Sequence, residues 1–262
     1  MTVNPKRSLL LTALAVLVSL GCGSTASDEP ALEQQNSEAA VEQPTTAPTS
    51  TPKRPASTPS DVVAFFDKWH ITLGDGSRED NLVGFEHDDF FYTANDGEDW
   101  VVYKTPNSGV TTPNSSNTRS ELRETREWTP EAGGSMTATL KVMHVSTTAD
   151  ARIPAAFSVV IGQIHGGEGH ENEPLKIFYK KFPGHDKGSV FWNYEINTEG
   201  SNDKRWDVAT AVWGDDWSVV GADADTYPAE PEDGIALGEE FSYEVVVTEG
   251  CLLYTSPSPR DS

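Results

Sequence analysis

Five side chains stand at spacings that suit proton chemistry on an anion. They are Arg119, Glu121 and Arg123 within Asn117–Glu124, and further along Gln163 with His165. In an extended chain alternate residues share a face, so Arg119, Glu121 and Arg123 point one way and Thr118, Ser120 and Leu122 the other. A guanidinium grips a carboxylate through two parallel hydrogen bonds, and a glutamate between two arginines can fix the orientation of both. Taken alone, this pattern is more often an ion-pair ladder on a solvated face. Gln163 and His165 are also two apart, with Phe157, Val159 and Ile161 leading up to them. Glutamine can donate a neutral hydrogen bond to an oxyanion, and histidine can take a proton near neutral pH. Gly162, Gly166 and Gly167 allow backbone to approach closely there. A hydrogen-bonded histidine at a strand end is the plainer reading of this second motif by itself.

The elements that must hold these residues read as strands. β-rich runs cover Phe90–Thr93, Trp100–Tyr103, Thr137–Val145, Phe157–His165, Leu175–Tyr179, Val190–Ile196, Val208–Trp213 and Phe241–Val247. Gly, Asn, Asp and Pro punctuate them, which predicts an all-β sandwich or barrel in one domain over 61–250. Only Val62–Lys68 has a helical look, and no internal repeat is visible.

The formal charge is −22, nearly all of it within 61–250. Phosphate binding needs a basic face, so nucleic acid is excluded as a partner. Any site for a polyanion must then be a local basic island. Only Cys22 and Cys251 occur, too few for a disulfide framework.

The N-terminus carries Lys6 and Arg7, an apolar run from Leu9 to Leu20, and then Gly21-Cys22. That order predicts a secretory signal over 1–21, and Leu-Gly-Cys resembles a bacterial lipobox that would leave Cys22 as an acylated first residue. Residues 22–60, rich in Ser, Thr, Pro and Glu, lack the apolar surface to fold and are expected to be a tether. The expected location is the bacterial cell envelope, on a lipid anchor, or outside the cell. Cys251 to Asp261 resembles a translated sequencing-library adapter, so 251–262 is expected to be foreign and the natural chain to continue past Gly250.

R-S-E-L-R at Arg119–Arg123 followed by Q-I-H at Gln163–His165 resembles polysaccharide lyase family 7, the alginate lyases. The resemblance runs from about Trp69 to Gly250 and takes in Thr111-Thr112, Asn114-Ser115 and Leu237-Gly238-Glu239. It implies a β-jelly roll of two antiparallel sheets, the concave one forming a groove for a 1,4-linked uronate polymer. It also implies β-elimination without a required cofactor. Arg119, Gln163 and His165 would be catalytic at the carboxylate, with His165 the base, while Glu121 and Arg123 support the substrate. Ile164 goes with guluronate or mixed blocks. The family's tyrosine strand, Y-F-K-A-G-x-Y-x-Q, has no match here, so the 262-residue chain is expected to lack its acid and to be inactive or nearly so.

Other features are weaker. Asp223, Asp225, Glu230, Glu232 and Asp233 form an acidic loop that could hold a structural calcium, although a solvated loop is the plainer reading. His170, His185, Glu168 and Glu171 lack zinc-type spacing, so no metal site is assigned. Trp192, Trp206, Trp213 and Trp217 suit the core better than sugar stacking. A monomer is expected. The competing reading is a non-catalytic, surface-anchored glycan-binding lipoprotein; a β-sandwich glycosidase would need paired carboxylates that are not seen.

Overall fold

The computed structural model describes residues 2–3, 56–113, 115, 117–166, 174–198, 201–216, 227–248 and 251–255. The strands among them are β1 (Thr2–Val3), β2 (Trp69–Thr72), β3 (Arg78–Glu79), β4 (Phe91–Asn95), β5 (Asp99–Tyr103) and β6 (Glu121–Glu124). They continue with β7 (Gly134–Lys141), β8 (Ser158–Ile164), β9 (Leu175–Lys180), β10 (Lys187–Thr198) and β11 (Ser201–Trp213). β12 (Ile235–Ala236), β13 (Glu240–Thr248) and β14 (Cys251–Thr255) complete the set. One layer runs β14-β13-β7-β1-β5-β4. Over it lie two smaller sheets, β11-β10-β9-β8 with β12 on β10, and β3-β2-β6. Every pairing is antiparallel. This is the all-β sandwich that the strand pattern implied, and the jelly roll that the family resemblance implied.

Period-two alternation builds the layers. Along β13, Phe241, Tyr243, Val245 and Val247 are buried while the residues between them are partly or fully exposed. They meet Ile161, Leu175, Ile177, Tyr179, Val190 and Trp192 from the sheet above. At the other end Phe91, Val101 and Tyr103 of β4 and β5 pack with Ile71, Leu73 and Leu122, closed by Val62 and Phe66. Each such side chain contributes about 1.5–3 kcal/mol on leaving water. Both small sheets therefore rest on one large sheet. They form a single second layer interrupted between β6 and β8, which are its inner edges.

The expected helix over Val62–Lys68 is corrected. The helix α1 covers Pro59–Val62, with Asp61 accepting the backbone N–H groups of Ser57 and Thr58, and a 3-10 turn covers Phe66–Lys68. Val63 turns extended because Val62 and Val63 are both drawn into the core, and β-branched neighbours gain little from a longer helix. Cys251–Thr255 pairs with β13, and Tyr254 stacks 6.2 Å from Tyr243. Leu252 and Tyr254 alternate as an edge strand requires, whatever the segment's origin. Cys22 and residues 23–55 of the expected tether lie outside the described residues, whereas 56–60 are described: Pro59 is buried in α1 and Ala56 packs against the core.

Candidate active site

Gln163 reaches the outer face of its sheet, where the resemblance expects a groove, through a break in strand register. Val160 opposes Phe178, but the next pair is Gly162 with Ile177, so Ile161 is an extra residue. A bulge of this kind re-aims the side chains that follow it. Before it Val159 points into the core; after it Gln163 opposes Lys176 on the outer, groove face. The expectation that Phe157, Val159, Ile161 and Gln163 share one face is thus corrected. Gly162 sits where an added Cβ would strike Tyr243 Oη, and that hydroxyl donates to the Ile161 carbonyl at 2.8 Å. The core tyrosine props the bulge that turns Gln163 outward.

Arg119 lies just before β6 rather than within it, so of the stretch 117–124 only Glu121–Glu124 is a named strand. Its neighbours fix it. Thr118 Oγ1 donates to the Pro106 carbonyl, Ser120 Oγ to that of Lys104 at 2.6 Å, and Ser120 N–H to Thr105 Oγ1. With Thr118 and Ser120 tied to one side and Leu122 packed against the core, Arg119 and Glu121 face the other way, as the alternation required. Arg119 Nη1 donates to Glu121 Oε2 at 2.7 Å, while its Nε is buried and has no hydrogen-bond partner. A buried N–H of a guanidinium is costly to leave unmade, so a ligand oxygen there would gain a charge-assisted bond.

Glu121 also accepts from Gln163 Nε2, which spans the interruption between β6 and β8. The structure therefore brings Arg119, Glu121 and Gln163 into one connected cluster. Arg123 is exposed on the same face of β6. His165 lies one residue past β8, exposed, with Nδ1 2.6 Å from the Gly166 carbonyl. A carbonyl only accepts, so Nδ1 is the donor in that contact. Asn114 and Gly167 lie outside the described residues.

The floor continues with residues that the sequence reading passed over. Gln163, Lys176 and Asn193 oppose one another across β8, β9 and β10. Lys176 Nζ is 3.2 Å from Glu195 Oε2, whose side chain is almost wholly buried. The signal was present in Lys176, Phe178 and Lys180, which alternate with the core residues of β9.

The remaining tyrosines are committed elsewhere. Tyr103, Tyr179, Tyr243 and Tyr254 are buried in the sandwich, and burial pushes the phenols of Tyr103, Tyr179 and Tyr243 well up. Tyr227 packs on Phe157 and Phe182. Tyr194 alternates with Asn193 and so points away from the Gln163 face. Tyr92 belongs to β4 in the large sheet.

In the acidic loop, Glu230 accepts the N–H groups of Asp186 and Lys187, and Asp233 accepts that of Gly214 at 3.1 Å. These carboxylates hold backbone. Asp223, Asp225, Glu168, His170, Glu171 and Trp217 lie outside the described residues. Among the described residues no group of three His, Cys, Asp or Glu side chains is placed to hold a metal ion. Trp192 and Trp213 are core residues, as expected.

Comparison with known proteins agrees with this geometry. A family model described as Alginate lyase matches residues 63–258. An alginate lyase of Klebsiella pneumoniae is 33% identical over 216 residues, covering 69% of this chain and 64% of the relative. The crystal structure of the exolytic PL7 alginate lyase AlyA5 from Zobellia galactanivorans superposes with a TM-score of 0.73 and 63% identity, covering 77% of this chain and 65% of that one. A crystal structure of the alginate lyase from Klebsiella pneumoniae gives 0.62 at 28% identity, over 76% of this chain and 79% of that one. The chain thus spans just under two thirds of the length of the first two relatives. With Arg119, Glu121 and Gln163 connected on the outer face of a jelly roll and the family model matching 63–258, the chain belongs to polysaccharide lyase family 7, the alginate lyases.

Proposed function

We propose that the natural protein is an alginate lyase that cleaves a 1,4-linked uronate polymer by β-elimination. The observation that carries this reading is Arg119. Its guanidinium is pinned by Glu121 through Nη1 while Nε is buried and without a partner, beside the Gln163 amide. Such a pair would take a uronate carboxylate and withdraw its charge, which acidifies the C5 hydrogen. His165 would accept that proton on Nε2, and the departing O4 would need a proton from an acid, leaving a 4,5-unsaturated end. The family needs no cofactor, and none enters this scheme.

The acid is the weak point of the 262-residue chain. The burial of Tyr103, Tyr179, Tyr243 and Tyr254 and the packing of Tyr227 on Phe157 and Phe182 support the reading that this chain lacks the family's acid. This chain is accordingly expected to bind the polymer and turn it over poorly. Guluronate or mixed blocks are the proposed substrate. Ile164 opposes Leu175 on the core side, so its influence would pass through the placement of Gln163 and His165. AlyA5, the relative described as exolytic, suggests release of units from chain ends.

Location belongs to the same proposal. Processing ahead of Cys22 and acylation would tether the domain to the cell envelope, and would also remove Thr2–Val3 from between β5 and β7. Intact mass of the protein from membranes checks this: a lipidated Cys22 N-terminus is expected, and an unprocessed Met1 would refute it. The activity is tested by the ultraviolet absorbance of new unsaturated ends. The 262-residue chain should give little, and a version carrying the natural continuation should give sustained turnover with release of small products. Brisk turnover by the shorter chain would overturn the missing-acid reading. Binding without elimination by the longer one would favour a non-catalytic glycan-binding protein.

A further inference from the structure

On the groove face beside the cluster lies a histidine that the proposed elimination does not use. His70 opposes Arg123 across β2 and β6, and Thr72, next on that face, opposes Glu121 on one side and Arg78 on the other. Ile71 between them enters the core, so the His70 ring and the Arg119–Glu121–Arg123 face lie on the same side of the sheet. His70 is 7% exposed, and its Nδ1 is buried with no hydrogen-bond partner. Buried ring nitrogens are ordinarily paired, and an unpaired one asks for an explanation.

The charges acting on the ring come from both flanking elements. Arg78 and Asp80 act from β3 and the residue after it, and Arg123 acts from β6. Arg78 and Asp80 pair with each other, Nε to Oδ1 at 2.6 Å. Burial first, and then Arg78 and Arg123, pull the proton affinity of His70 down, with Asp80 opposing. Arg123 makes no ion pair among the described residues, since the arginine pairs there are those of Arg78, Arg119 and Arg152. The imidazole, its proton affinity lowered, and an unpaired guanidinium thus stand side by side: Arg123 lies two residues along β6 from Glu121, about 7 Å by the strand rise, and His70 one strand spacing of roughly 5 Å across.

We propose that His70 and Arg123 together bind a second carboxylate of the uronate polymer, and that His70 takes up a proton from solvent as that carboxylate arrives. The proposal rests on the reading of the groove as a polyuronate site. Its physics is local. An anion on Arg123 offsets that guanidinium's part of the downward pull and adds an attraction of its own for the protonated ring, and the imidazolium then donates to the same anion. The consequence is polymer binding that strengthens on mild acidification, at a residue separate from the base.

The test is a side-chain NMR titration of the histidine rings in the full 262-residue chain, with and without saturating oligoguluronate. His70→Asn identifies the resonance, and His70→Gln provides a second variant should the first fold poorly. Without ligand the His70 ring should titrate below the free-histidine range of about 6.5. With ligand its midpoint should rise by about one to three pH units, and Arg123→Ala should abolish most of that rise. If oligoguluronate perturbs the Arg119 and Gln163 signals while the His70 midpoint stays put, the His70 proposal is overturned and the groove reading stands. If no signal in the groove responds, the polyuronate reading fails and takes this one with it.

Discussion

At the scale of single residues, the groove is organised by Glu121. It accepts from Arg119, just before its own strand, and from Gln163 on β8, so one carboxylate sets the direction of two donors. Glu121→Gln should keep the shape but weaken the hold on Arg119. The expected outcome is roughly two- to tenfold weaker oligoguluronate binding, the equivalent of about 0.5–1.5 kcal/mol for one hydrogen bond, read by calorimetry. That Arg119 and Glu121 share a face was legible from spacing, because alternate residues of an extended chain do; their grouping with Gln163 and His165 came from the family resemblance. What spacing could not supply was the link between the motifs. The Glu121–Gln163 bond joins two different sheets, and His70 and Lys176 enter only when strand partners are known. Lys180 makes a second prediction at this scale. It is buried, donates to the Pro154 carbonyl at 2.8 Å and lies 4.9 Å from the Phe182 ring centroid, and burial pulls its ammonium down to about 8. The unfolded chain, with lysine near 10.4, then binds more protons than the folded one between about 8 and 10. Linkage makes stability rise with pH across that window and fall on acidification through it. Denaturant unfolding at several pH values should show this slope in the wild type and lose it in Lys180→Met.

At the scale of elements, the bulge at Ile161 decides where Gln163 goes. The apolar run Val159–Ile164 is readable as a strand, yet its face assignment is not, because one extra residue reverses the alternation. The glycine was a hint, and its reason is Tyr243 Oη filling the space where a side chain would stand. Gly162→Ala should therefore destabilise the fold by about 1–3 kcal/mol through overpacking, while Tyr243→Phe, losing only its bond to the Ile161 carbonyl, should cost about 1 kcal/mol. Both are read from denaturant midpoints. A neutral Gly162→Ala would mean the bulge is not propped from the core. The same competition between local pattern and packing shortened α1, where Val62 and Val63 prefer the core to another helical turn.

At the scale of the whole molecule, two packed layers follow from strands alternating in apolar and polar residues, and that much was plain from the sequence. The interruption of the upper layer was not, because sheet order depends on which edges meet, and long-range pairing leaves no local mark. Edge strands carry unpaired N–H groups. The amides of Glu121–Glu124 and Ser158–Ile164 that point away from β2 and β9 should exchange with solvent much faster than those shared by β9 and β10. Equal protection across all of them would contradict the interrupted layer. The charge of −22 matters at this scale too. An acidic molecule holds a polyanion only where cations gather, and among the described residues Arg119, Arg123 and Lys176 lie near the Glu121–Gln163 bond. The direct measurement is calorimetric titration of oligoguluronate into the 262-residue chain and its Arg119→Ala variant. The account expects the wild type to bind and the variant to bind about ten- to a hundredfold more weakly, the loss of a charge-assisted contact of about 1.5–3 kcal/mol; equal affinity of the two proteins would contradict it.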